Sequence, residues 1–120
     1  MRILVVDDHP DMREVIREQF EAMLPGTEVL EAKNAIEALE HVRRGRFDLV
    51  LSDLEMFGGD GRDLWAGLSA EFPEQVAKLV FMSGAGSHIL EDLREDTGCP
   101  AYQKPLAGLT LRAILEVVAR

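Results

Sequence analysis

Residues 3–11 read ILVVDDHPD, an unbroken apolar run that ends in two adjacent aspartates. Four consecutive branched aliphatic residues, Ile3 to Val6, suit a strand buried on both faces, which is the habit of parallel sheets. Asp7 and Asp8 then place like charges side by side where that strand leaves the core. Such a pair is tolerated only beside something positive. The stretch therefore predicts both a buried parallel strand and a cation near its end.

Outward from it, strand and helix patterns alternate. Met12, Val15, Ile16, Phe20 and Met23 recur at helical spacing, and Pro25-Gly26 ends that helix. Thr27 to Ala32 alternates more weakly, as an edge strand does. Ile36, Leu39 and Val42 mark a second helix, with Asn34 as N-cap and Gly45 as its stop. Phe47 to Leu51 predicts the next strand, and Leu64, Leu68 and Phe72 a third helix closed by Pro73. Leu79 to Met82 is a strand, followed by a short acidic helix through Ile89, Leu90 and Leu93. Ala101 to Gln103 reads as a weak strand, and Leu111, Ile114, Leu115 and Val118 as the last helix. Five strands alternating with five helices predict an α/β fold, a parallel sheet covered on both faces.

Composition narrows the function. A chain of 120 residues with 47% hydrophobic content, and no repeat, linker or low-complexity tract, is expected to form one domain over 1–120. A formal charge of -9 argues against nucleic acid or an anionic membrane as a direct partner. The single cysteine, Cys99, cannot form an internal disulfide and reads as a packed thiol. No apolar run approaches the ~20 residues of a membrane span, and the N-terminus lacks a signal peptide's apolar region. A cytoplasmic location is the expectation.

Polar residues follow the strands in a consistent way. Asp7 and Asp8 follow the first, Asp53 the third, Ser83 the fourth and Lys104 the fifth, with Pro105 behind it. In an open parallel sheet these ends share one edge, where such folds bind ligands. Three clustered carboxylates require a cation, and an all-oxygen set suits Mg²⁺. Lys104 adds a fixed positive charge and Ser83 a hydroxyl. Metal, ammonium and hydroxyl together could each hold one oxygen of a phosphoryl group, with a carboxylate as nucleophile. Each residue alone has a plainer reading, since an aspartate at a strand end is usually a turn former or a helix cap. Asp60 and Asp63 read as a helix start. His9, His41 and His88 show no metal-ligand spacing and read as surface or loop residues.

The pieces ILVVDD, DLVLSDLEMFGGDG around Asp53, VFMSG with Ser83, and QKP with Lys104 resemble the receiver domain of two-component response regulators. The resemblance covers essentially the whole chain and implies a doubly wound, flavodoxin-like five-stranded parallel sheet. It implies Asp53 as phosphoacceptor and Mg²⁺ held by Asp8, Asp53 and the Glu55 main-chain carbonyl, with Asp7 acting through water. It further implies that Ser83 and Lys104 contact the phosphoryl group and that Lys104-Pro105 is a cis peptide. The implied role is a signalling switch rather than an enzyme. It takes its phosphoryl group from a histidine kinase or histidine phosphotransfer protein and signals to a downstream protein.

Two other classes fit less well. A phosphatase of the haloacid dehalogenase type carries its nucleophile after the first strand, and a flavodoxin's phosphate loop would not be DDHPD. In one respect the chain departs from typical receivers. The switch aromatic three positions before the lysine is replaced by Ala101, and Tyr102 lies on the opposite strand face. The Ser83 to Ser87 loop and the acidic helix after it are then expected to move without an aromatic flip.

Overall fold

The computed structural model describes residues 1–119. Five strands are present: β1 (Arg2–Val6), β2 (Glu28–Ala32), β3 (Leu49–Asp53), β4 (Leu79–Ser83) and β5 (Ala101–Gln103). They form one parallel sheet in the order β2-β1-β3-β4-β5, the order of flavodoxin-like doubly wound folds. Six helices connect or follow them among the described residues: α1 (Pro10–Met23), α2 (Ala35–Arg44), α3 (Gly61–Glu71), α4 (Pro73–Val76), α5 (Ser87–Thr97) and α6 (Gly108–Val118).

Alternation along the central strands divides the core in two. Leu4, Val6, Val50, Phe81 and Ala101 face one side with residues of α2, α3 and α5. Ile3, Val5, Leu51, Val80 and Met82 face the other with residues of α1 and α6. Ala101 and Tyr102 obey the same rule: Ala101 is buried in the first cluster, and Tyr102 packs half-buried on the second.

Two expectations need correction. The sequence pattern assigns Pro73 only the closing of a helix; it also opens the one-turn α4, where its missing N–H lies among the donors no helix satisfies. That turn buries Gln75, whose side-chain amide bonds both the backbone N–H of Phe47 (2.8 Å) and its carbonyl (3.1 Å). Phe47 is thereby held outside the ladder, and β3 runs from Leu49 to Asp53 rather than from Phe47 to Leu51. The strand extends through polar Ser52 and Asp53, because Ser52 pairs with Val6 and Asp53 with Met82. Asp53 is thus the last residue of a fully buried strand and not part of the loop after it.

Gly58 and Gly59 in the loop after β3 have positive φ, and the start of α3 demands a further glycine. A Cβ on Gly61 would lie 2.8 Å from the Asp53 carbonyl oxygen and 2.9 Å from the Phe81 ring. Only glycine lets α3 begin this close to the strand end. Asp60 and Asp63 form a reciprocal capping box there, as the sequence suggests. Asn34 caps α2 with a single bond, its side-chain oxygen accepting from Glu37 N–H at 2.9 Å.

Candidate functional site

The strand ends place Asp7, Asp8, Asp53, Ser83 and Lys104 together at the C-terminal edge of the sheet. Asp7 is 0% exposed, Asp53 4% and Ser83 0%, so three polar groups are withdrawn from water. Lys104 answers that burial. Its ammonium donates to Asp7 Oδ2 at 3.0 Å and lies 3.0 Å from Asp53 Oδ2. The Lys104-Pro105 peptide is cis.

One ammonium cannot neutralise this many carboxylates. Burial pushes the Asp53 carboxyl above its ordinary range, and Asp7 and Glu55 add to the rise, although Lys104 opposes it. Burial alone would lower the Lys104 pKa. Its bonds to Asp7 and Asp53 outweigh burial and hold it above the usual lysine value. Both members of the pair are therefore raised: the lysine gains two carboxylates, while each carboxylate gains only a share of one lysine.

Asp8 has no share of Lys104 among these contacts. Its Oδ2 accepts from Phe57 N–H at 3.3 Å. Its Oδ1 is buried and accepts no hydrogen bond from the described residues. His9 Nδ1 stands 3.0 Å from that oxygen, off the direction of a hydrogen bond, and 3.1 Å from Asp7 Oδ1. Donor atoms of Asp7, Asp8, His9 and Asp53 all lie within 4.8 Å of one another. Hard oxygens, surplus negative charge and an orphaned buried oxygen together fit Mg²⁺. A cavity of about 490 Å³, lined by Asp8, His9, Glu55, Met56, Phe57 and Gly58, opens beside the cluster.

Two contacts were not anticipated from sequence. His9 has the exposed side chain its sequence context suggests, at 71%, yet its ring meets both aspartates. The only available signal was its position directly after Asp8. Glu55 was read through its main chain alone, but its carboxylate accepts a 3.0 Å hydrogen bond from the Ser83 hydroxyl. That partner lies 28 residues away, and no local pattern marks it.

The model of the response regulator receiver domain family matches residues 3–106, which include every site residue described above. The chain belongs to this family. Among related receiver-containing proteins, the response regulator protein FleR of Pseudomonas aeruginosa is 32% identical over 120 residues, covering 99% of this chain and 24% of FleR. Chemotaxis protein CheY-3 of Vibrio cholerae is 29% identical over 121 residues, covering 98% of this chain and 91% of its own. The receiver fold also matches the solved structure of response regulator protein TrrA from Thermotoga maritima in complex with Mg²⁺-BeF. That match has a TM-score of 0.81 and 30% identity, covering 98% of this chain and 97% of TrrA. This receiver chain spans 24% of FleR and 46% of the nitrate/nitrite response regulator protein NarP of Escherichia coli. Among the described residues, no helix is long and apolar enough to cross a membrane.

Proposed function

We propose that residues 1–120 form a single receiver domain in which Asp53 accepts a phosphoryl group from a histidine kinase or histidine phosphotransfer protein. The supporting observation is the position of Asp53: buried at a strand end, 3.0 Å from the Lys104 ammonium and within 4.8 Å of the other acidic donors. An Asp53 oxygen attacks phosphorus as the bond from phosphorus to the donor's imidazole nitrogen breaks. The imidazole leaves with that electron pair and takes a proton from solvent. Lys104 stays within reach of both the aspartyl oxygen and the incoming phosphoryl oxygens, neutralising charge where it builds. Asp8, Asp53 and the Glu55 carbonyl, with Asp7 through water, would hold Mg²⁺, which supplies further neutralisation of the phosphoryl oxygens.

The product is a signal. A phosphoryl group on Asp53 offers Ser83 a new acceptor, and Ser83 begins the loop that leads into α5. Arg94 of α5 donates through Nε and Nη2 to the Ala101 carbonyl, so a shift of α5 is felt by β5. Because Tyr102 packs on the α1/α6 side, this route needs no aromatic rotation. The surface of α5, β5 and α6 is where a downstream protein would read the change. The buried free thiol of Cys99 suits a reducing cytoplasmic setting.

The test is phosphorylation by acetyl phosphate with Mg²⁺, followed by intact mass. One added phosphoryl group on the parent chain and none on Asp53→Asn supports the reading. Equal labelling of both chains overturns it.

A further inference from the structure

Ser83 already has a partner in the unphosphorylated chain. Its hydroxyl is wholly buried at the end of β4, and its proton goes to Glu55 Oε1 at 3.0 Å. Its oxygen in turn accepts the backbone N–H of Ala85, also at 3.0 Å. A hydroxyl carries one proton and can donate to one acceptor at a time. A phosphoryl group on Asp53 presents only acceptor oxygens. Ser83 can therefore bind that group only by releasing Glu55.

We propose that the Glu55 carboxylate is a latch that positions Ser83 away from Asp53 and sets the resting shape of the Ser83 to Ser87 loop. The effect on phosphorylation rests on the phosphoacceptor reading of Asp53. The resting contact itself does not. By linkage, whatever draws the Ser83 proton to Asp53 must break the Glu55 bond, and removing Glu55 must favour that ligand by the same factor. The Ala85 N–H, tied to the same oxygen, carries the rotation of Ser83 into the chain leading to α5.

Glu55 also bears a charge, and simple repulsion of an anionic ligand would mimic a latch. The two are separable because a latch acts only through the Ser83 hydroxyl, whereas repulsion acts with or without it. The experiment is a double-mutant cycle on the full chain. It measures the affinity for beryllofluoride with Mg²⁺ in the parent, Glu55→Ala, Ser83→Ala and the double variant. Loss of one charge-assisted hydrogen bond gives an expected tightening of about tenfold for Glu55→Ala in the parent background. In the Ser83→Ala background the expected change is less than twofold. Glu55→Gln, which keeps an acceptor oxygen, should restore most of the parent's resting Ala85 amide shift, and Glu55→Ala should not.

Equal tightening in both backgrounds would assign the effect to charge and overturn the latch. No tightening in either background would overturn it as well, as would a resting Ala85 amide unmoved by Glu55→Ala. Failure of the parent to bind beryllofluoride at all would instead strike at the phosphoacceptor reading and the linkage built on it. The Ala85 shift would still report whether the resting contact exists.

Discussion

Replacing Asp8 with alanine should make the metal-free protein more stable while removing its response to Mg²⁺. Of the three clustered aspartates, Asp8 is the one that Lys104 does not touch, and one of its oxygens is buried without a donor. It has oxygens within 4.8 Å of those of Asp7 and Asp53. Two unit charges at that separation repel by about 3 kcal/mol at an effective dielectric of about 20. There are two such pairs, and attraction to the nearby ammonium cancels roughly one of them. The Asp8 side chain is 20% exposed, so solvent screens part of what remains. A net relief of about 1–2 kcal/mol follows, or a rise of about 4–8 °C in the melting temperature of a domain this size. In the parent chain, Mg²⁺ at about one hundred times its Kd should add about 2.7 kcal/mol by mass action. Thermal melts by circular dichroism, in EDTA and in a Mg²⁺ series, measure both effects. If Asp8→Ala melts lower than the parent in EDTA, or gains as much from Mg²⁺, the electrostatic description of the cluster is wrong.

Other perturbations reach the remaining parts of the site. Lys104→Met leaves Asp7 and Asp53 buried without their cation and should destabilise the metal-free fold by about 3 kcal/mol, measured by urea denaturation. Because the folded pKa of Asp53 is raised, the folded state binds its proton more tightly than the unfolded state does. Its contribution is fully present below the unfolded carboxylate pKa and is lost as pH rises through the folded value. Asp53→Asn should therefore gain stability over the parent with rising pH, and unfolding curves whose difference is flat with pH would count against this. Tyr102→Ala should leave the beryllofluoride-induced amide shifts of residues 83–96 in place. Their disappearance from a folded variant that still binds the mimic would make Tyr102 the switch.

Much of the fold could be read from local pattern, because each buried strand is a dense apolar run bounded by charge or glycine. The places where that reading failed share a cause: the deciding partner lies far along the chain. Nothing near Phe47 announces that Gln75 will occupy both of its backbone groups and shift the strand toward Asp53. Pro73 can both end and begin a helix, and only the packing of Gln75 shows that it does both. The candidate site was legible as a set of residues because the parallel topology gathers strand ends at one edge. The Glu55 side chain was not, since its contact depends on where β4 ends relative to β3. The side of the sheet that Tyr102 faces was legible, because two neighbours on a strand must face opposite ways whatever surrounds them.

The most direct measurement locates the phosphoryl group itself. Chain phosphorylated with acetyl phosphate and Mg²⁺ is reduced with borohydride, which converts an aspartyl phosphate to homoserine, then digested and sequenced by mass spectrometry. Homoserine at position 53 alone is the expected result. Homoserine at position 7 or 8, or none in a chain that carried the phosphoryl mass, would contradict Asp53 as the acceptor.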